Sequence, residues 1–190
     1  MKTYQVRDLM VPIDEYATVP ESASLLDAVS ALEKAQLVFD ENRYRHRAVL
    51  VFDQNNHIVG KLSMHDVLEA LEPNYKNLQG TGRRSLKRLG FDEKFIKSTL
   101  EQGNLWGKPL GNLCQTAIHK NVREVMYTPE AGEFVKSDAT MDEAIYRLML
   151  GHHHSLLVTA PHDKREIVGV MRATDVFEFV SRSMKECDVV

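Results

Sequence analysis

The stretch IVGKLSMHD, residues Ile58–Asp66, closes an apolar run and opens an amphipathic one, and IVGVMRATD, residues Ile167–Asp175, does the same at an offset of 109. Each places apolar and β-branched residues before a glycine, then a polar junction, then HDVLEALE or TDVFEFVSRSM, where apolar residues recur at helical spacing. A junction built twice marks an internal repeat, and a repeat governs how the whole chain is read.

Working outward, VRDLM (Val6–Met10) returns as VREVM (Val122–Met126), an offset of 116. The same offset pairs Val19 with Val135, Ser24 with Thr140, Asp27 with Glu143, Ala28 with Ala144 and Leu32 with Leu148. It falls to 107 at Val51 and Val158, then settles at 109. The first copy therefore carries nine more residues before its core strand, in VFDENRYRH (Val38–His46), and the second carries two more in its hairpin.

Both copies predict the same order of elements. YATVP (Tyr16–Pro20) and GEFVK (Gly132–Lys136) read as short extended pieces, followed by Ser24 and Thr140 as helix caps. Leu25, Ala28, Val29 and Leu32, like Met141, Ala144, Ile145 and Leu148, line one helical face. RAVLVFD and SLLVTA then read as strands, DQNNH and PHDKRE as hairpin turns, and HIVGKLS and EIVGVMR as the return strands before a closing helix. The order is β-α-β-β-α, twice. A unit of roughly 60 residues is marginal by surface-to-volume scaling, so the halves are expected to pack together about a pseudo-two-fold axis.

Composition bounds the function classes. With 190 residues, 43% hydrophobic and 27% charged, and a net charge of -3, the chain is globular and nothing in its balance favours nucleic acid or an anionic membrane. Cys114 and Cys187 lie outside any C-x-x-C spacing and read as free thiols of a reducing cytoplasm. The charged start MKTYQVRDLM and the shortness of AVLVF (Ala48–Phe52) predict neither a targeting segment nor a membrane span.

The series VRDLM…TVPESASLLDAVSAL…RAVLVFDQNNHIVGKLSMHDVL, repeated as VREVM…FVKSDATMDEAIYRL…HHSLLVTAPHDKREIVGVMRATDVF, resembles a tandem pair of CBS domains (named from cystathionine β-synthase), also called a Bateman module. The resemblance covers residues 1–72 and 122 to about 184 and divides the chain into CBS repeat 1 (1–72), a helical connector (73–121) and CBS repeat 2 (122–190). It implies an α+β fold in which two pseudo-symmetric β-α-β-β-α repeats pack as one disc with clefts between them. It further implies that the clefts bind an adenine nucleotide or adenosyl ligand, AMP, ADP, ATP or S-adenosylmethionine, and that the module regulates a separate protein, as in energy sensing. A homodimer with discs face to face is the expected assembly.

Site residues follow from the same resemblance. In the family, the hydroxyl of the G-h-x-S/T-x-x-D turn faces a ligand phosphate and its aspartate accepts from the ribose hydroxyls. Ser63 and Asp66 match both positions; in the second copy Asp175 is kept but Arg172 replaces the hydroxyl, so the two sites are expected to be inequivalent. A guanidinium grips phosphate through two parallel bonds or fills a cleft by its bulk. Thr18 and Phe134 fall where the adenine pocket is lined, and His46, Arg47 and Ala48 align with His153, His154 and Ser155.

Plainer readings stand beside these. Serine and aspartate are favoured at helix starts with or without a ligand. In His152–His154, only alternate side chains of a strand converge, and no spacing supplies a third ligand, so no metal is expected. In the connector, Arg83, Arg84, Lys87 and Arg88 read as a solvated basic face, GTG lacks the rest of a phosphate loop, and Phe95, Ile96 and Leu100 behind Asp92 suggest a short helix. Trp106 with Leu105, Leu110 and Leu113 suggests that the connector packs on the disc or a partner. No nucleophile elbow, metalloprotease helix or paired acid–base set is placed by the sequence, so an enzyme is not expected. The rival reading is a ligand-free CBS pair, its cleft plugged by Arg172, acting in dimerisation or docking.

Overall fold

A computed structural model describes residues 4–38, 46–71 and 109–187. In the first half it places β1 (Val11–Pro12), β2 (Thr18–Pro20), α1 (Leu25–Val38), β3 (Ala48–Phe52), β4 (Ile58–Ser63) and α2 (Met64–Leu71). Numbering over the described residues, α3 (Leu110–Ala117) and the short α4 (Val122–Val125) precede β5 (Phe134–Lys136), α5 (Met141–Gly151), β6 (Ser155–Thr159), β7 (Ile167–Arg172) and α6 (Ala173–Cys187). The helices start where hydroxyls satisfy their orphan N–H groups: Ser24 Oγ accepts from the Asp27 amide at 3.1 Å and Thr140 Oγ1 from the Glu143 amide at 3.3 Å.

Each half forms one sheet around a parallel pair. β2 runs parallel to β3 with Thr18 beside Leu50, and β5 runs parallel to β6 with Phe134 beside Leu157, so the registers obey the offsets of 116 and 107 read from the sequence. The hairpins β3–β4 and β6–β7 complete sheets ordered β2-β3-β4 and β1-β7-β6-β5.

The fourth strand of the second sheet comes from the first half. β1 pairs with β7 antiparallel, Val11 opposite Val170, and the equivalent contact on the other side is the bridge between Tyr127 and Lys61. Upstream, Gln5 bridges to Thr140 as Asn121 does to Ser24. The opening segment of each repeat thus crosses to the other, an exchange absent from the β-α-β-β-α order expected of each copy. Apolar burial follows the exchange: Val122 lies in the core of Leu25, Ala28, Val49 and Val51, and Val6 in that of Met141, Ala144, Leu156 and Val158. A third cluster, Val11, Tyr16, Leu50, Leu157 and Val170, joins the sheets.

The glycine of each repeated turn is explained by this crossing. A Cβ on Gly60 would stand 2.3 Å from the Met126 sulfur, and one on Gly169 would stand 2.6 Å from the Val11 carbonyl oxygen. Strand alternation then sets what faces the middle. In β7, Met171 enters its own helix-side core while Val170 joins the central cluster, so Arg172 shares the inter-repeat face; in β4, Leu62 is helix-side, and Lys61 and Ser63 face the other half.

The end of the connector is packed: Leu113 and Ala117 are buried, with α3 against α2, while Leu110 is exposed. Leu105, Trp106, the basic run at 83–88, the Asp92–Leu100 stretch and most of the nine-residue insertion lie outside the described residues.

Candidate functional site

The Ser63 turn is a reciprocal cap. Ser63 donates through both its amide and its Oγ to Asp66 Oδ2, at 2.8 and 2.6 Å, and its Oγ accepts from the Asp66 amide at 3.3 Å. The plain capping role of these residues is therefore present, and it leaves Ser63 partly exposed on the inter-repeat face at the start of α2.

The Arg172 turn is built differently. Arg172 donates from Nε to Asp175 Oδ2 and from NH2 to Oδ1, both at 2.6 Å, a two-bond ion pair with both partners buried. The aspartate that matches Asp66 is held by its own arginine.

Facing each turn are residues of the other half. Tyr16 lies edge-on to the fully buried His46, ring centroids 4.3 Å apart. Tyr16 packs in the central cluster with Val170, on the same face of β7 as Arg172, and burial pushes its hydroxyl up to about 12, with the Arg172 charge pulling it down and the Asp175 charge pushing it up. At the equivalent position on the other side stands Gly132, whose Cβ would lie 3.7 Å from His153 Nε2. His153 itself is half-buried against Gly151.

The Ser63 side holds a second ion pair. Lys61 Nζ donates to Glu133 Oε2, Tyr127 OH donates to Glu133 Oε1 at 2.5 Å, and the Glu130 amide donates to the same oxygen at 3.2 Å. Burial works against the Glu133 charge, but the hydrogen bonds from Lys61 and Tyr127, with the Lys61 charge, outweigh it and hold this carboxyl below its ordinary range. This network ties three segments together across the repeat boundary.

Of the remaining sequence-predicted residues, Ala48 and Ser155 are partly buried at the starts of β3 and β6, Phe134 is half-buried at the start of β5, and Thr18 is exposed. Arg47 and His154 are exposed, and their carbonyls accept from the first amides of α2 and α6, Met64 and Ala173. The histidine triplet precedes β6 instead of lying in it: His152 caps α5 with φ of 50°, so strand alternation does not set its direction. Among the described residues no three His, Cys, Asp or Glu side chains gather as a metal site. A surface depression of about 560 Å³ lined by Glu21, Ser22, Gln54, Asn121, Arg123 and Glu124 lies apart from both turns, and its carboxylates suit no anion.

The model of the CBS domain matches residues 6–73 and 122–182. The chain belongs to the CBS-domain family. A search of the curated proteins gives no match. Among solved structures the chain is similar to CBSX2 in complex with AMP, at 18% identity and a TM-score of 0.58, covering 95% of this chain and 98% of that one. It is similar also to a CBS domain-containing protein of unknown function from Bacillus anthracis (13% identity, TM-score 0.60, 94% of each chain). A third is the CBS domain of the bacterial CNNM/CorC family Mg2+ transporter in complex with ATP (16% identity, TM-score 0.57, 93% of this chain and 87% of that one). At these identities the likeness is one of fold.

Sequence reasoning missed Lys61, Tyr127 and Glu133 as residues that meet across the repeat boundary of this CBS pair. The signal was available in the mismatch between copies: their equivalents by the two offsets are Val170, Val11 and Ala17. Polar groups in one repeat against apolar ones in the other mark where pseudo-symmetry was broken, as Arg172 against Ser63 does. Among the described residues no helix is long and apolar enough to cross a membrane.

Proposed function

We propose that this CBS pair is a regulatory module that binds an adenine nucleotide or related adenosyl ligand in the cleft rimmed by Ser63 and Asp66 and conveys occupancy to a partner protein. The observation that carries the reading is the inter-repeat position of the Ser63 turn. A helix N-terminus and a hydroxyl there share the β4 face on which Lys61 meets Tyr127 and Glu133 of the other repeat, and half-buried Phe134, next to Glu133, packs on the central cluster that joins the repeats. Aromatic surface suits a purine, the Ser63 hydroxyl and the N-terminus of α2 suit phosphate, and an ionised aspartate suits a ribose diol. Fold relatives crystallised with AMP and with ATP support the choice of ligand class.

A thermal-shift panel of AMP, ADP, ATP and S-adenosylmethionine tests it. A specific ligand at a hundredfold excess over its Kd adds about 2.7 kcal/mol to native stability and raises the melting temperature. No shift with any of the four at millimolar concentration removes the proposal. It would leave the second reading, a docking or homodimerisation module, which is favoured by the exposed Tyr146, Met149 and Leu150 on α5 and Phe177 and Met184 on α6.

A further inference from the structure

We infer that this chain keeps only one of its two inter-repeat clefts open: Tyr16, His46, Arg172 and Asp175 close the cleft at the Arg172 turn, and the absence of a side chain at Gly132 leaves the Ser63 cleft accessible. The ligand part of this inference rests on the proposed nucleotide binding; the closure does not.

Offsets of 116, 107 and 109 match Tyr16 with Gly132, His46 with His153, Arg172 with Ser63 and Asp175 with Asp66. The contacts confirm the matching, because Tyr16 touches His46 where Gly132 approaches His153. On the Arg172 side all four residues are buried, His46 completely, and both Asp175 oxygens are bonded to one guanidinium at 2.6 Å. A ligand diol could reach that aspartate only by breaking a buried ion pair and stranding the arginine, an exchange that a pair of neutral hydrogen bonds does not offset. The tyrosine ring adds a steric wall.

On the Ser63 side three of the four places are lighter: Ser63 and His153 are half-buried and Gly132 is exposed, while Asp66 is buried at 7% as Asp175 is at 9%. Asp66 is capped there by a neutral hydroxyl where Asp175 holds a guanidinium. Gly132 is also free to change: its Cβ would make an ordinary contact at 3.7 Å, so a larger residue fits the backbone there. Tyrosine at this position would stand against His153 as Tyr16 stands against His46.

Two measurements on the full chain test the inference. By isothermal titration with AMP and with ATP, the wild type should bind one equivalent per chain. Gly132→Tyr should weaken binding at least tenfold at an unchanged melting temperature. Two equivalents bound, or Gly132→Tyr binding like the wild type, overturns it. Without any nucleotide, phenylglyoxal labelling read by mass spectrometry should modify Arg172 at least tenfold more slowly than exposed Arg47. Equal rates overturn the closure directly. Should no nucleotide bind while Arg172 stays protected, the proposed function fails and the closed cleft stands.

Discussion

Gly60 and Gly169 occupy equivalent positions, yet an added methyl would meet different obstacles. At Gly60 the nearest atom is the sulfur of Met126, the movable part of a flexible side chain; at Gly169 it is the backbone carbonyl oxygen of Val11. Gly169→Ala is therefore expected to destabilise by about 1–3 kcal/mol in urea unfolding, an overpacking cost, and Gly60→Ala by less. Glu133 gives a pH-dependent prediction. Its carboxyl ionises more readily when folded than its ordinary value of 4.5, so its contribution is full above that value and is lost as pH falls through the lower folded-state value. Urea midpoints should fall in wild type below about pH 4.5, and less steeply in Glu133→Gln, which is also weaker at neutral pH because Lys61 loses its counter-charge. Neither effect is legible from one copy alone, because Met126 and Val11, which crowd the two glycines, and Lys61, which pairs with Glu133, each lie more than sixty residues away in the chain.

Helices α1 and α5 and the two hairpins were legible because their signals are local: apolar spacing, a hydroxyl at each start, and polar residues between strands. The destination of β1 was not, since the spacing of VRDLM and MVP says nothing about which sheet edge the strand will join. That exchange predicts crossed effects. Val6→Ala and Val122→Ala each remove two buried methyl groups at a fully enclosed site and should cost about 2 kcal/mol. In hydrogen exchange the first should loosen β6 and β7 and the second β3 and β4, each in the half that does not contain the mutated residue in sequence. A chain begun at residue 13 should likewise expose β7 while leaving β4 protected.

At the level of the molecule, three apolar clusters overlap two halves, with Leu50 and Leu157 meeting in the middle. Unfolding should be a single cooperative transition by circular dichroism, and residues 122–190 expressed alone should not fold, lacking both Val6 and the β1 strand. Duplication was readable, and so was the expectation that the two turns would differ; the way in which they differ needed the contacts of Tyr16 and Gly132. The crossing of segments has one more consequence. Polypeptide leaving α3 runs within a few residues into Asn121 and Tyr127, which are stitched to Ser24 and Lys61 of the opposite half. A protein that gripped α3 would thus hold a tether fastened first at the Asn121–Ser24 bridge and then, through Tyr127, at the Tyr127–Glu133–Lys61 knot two residues from Ser63.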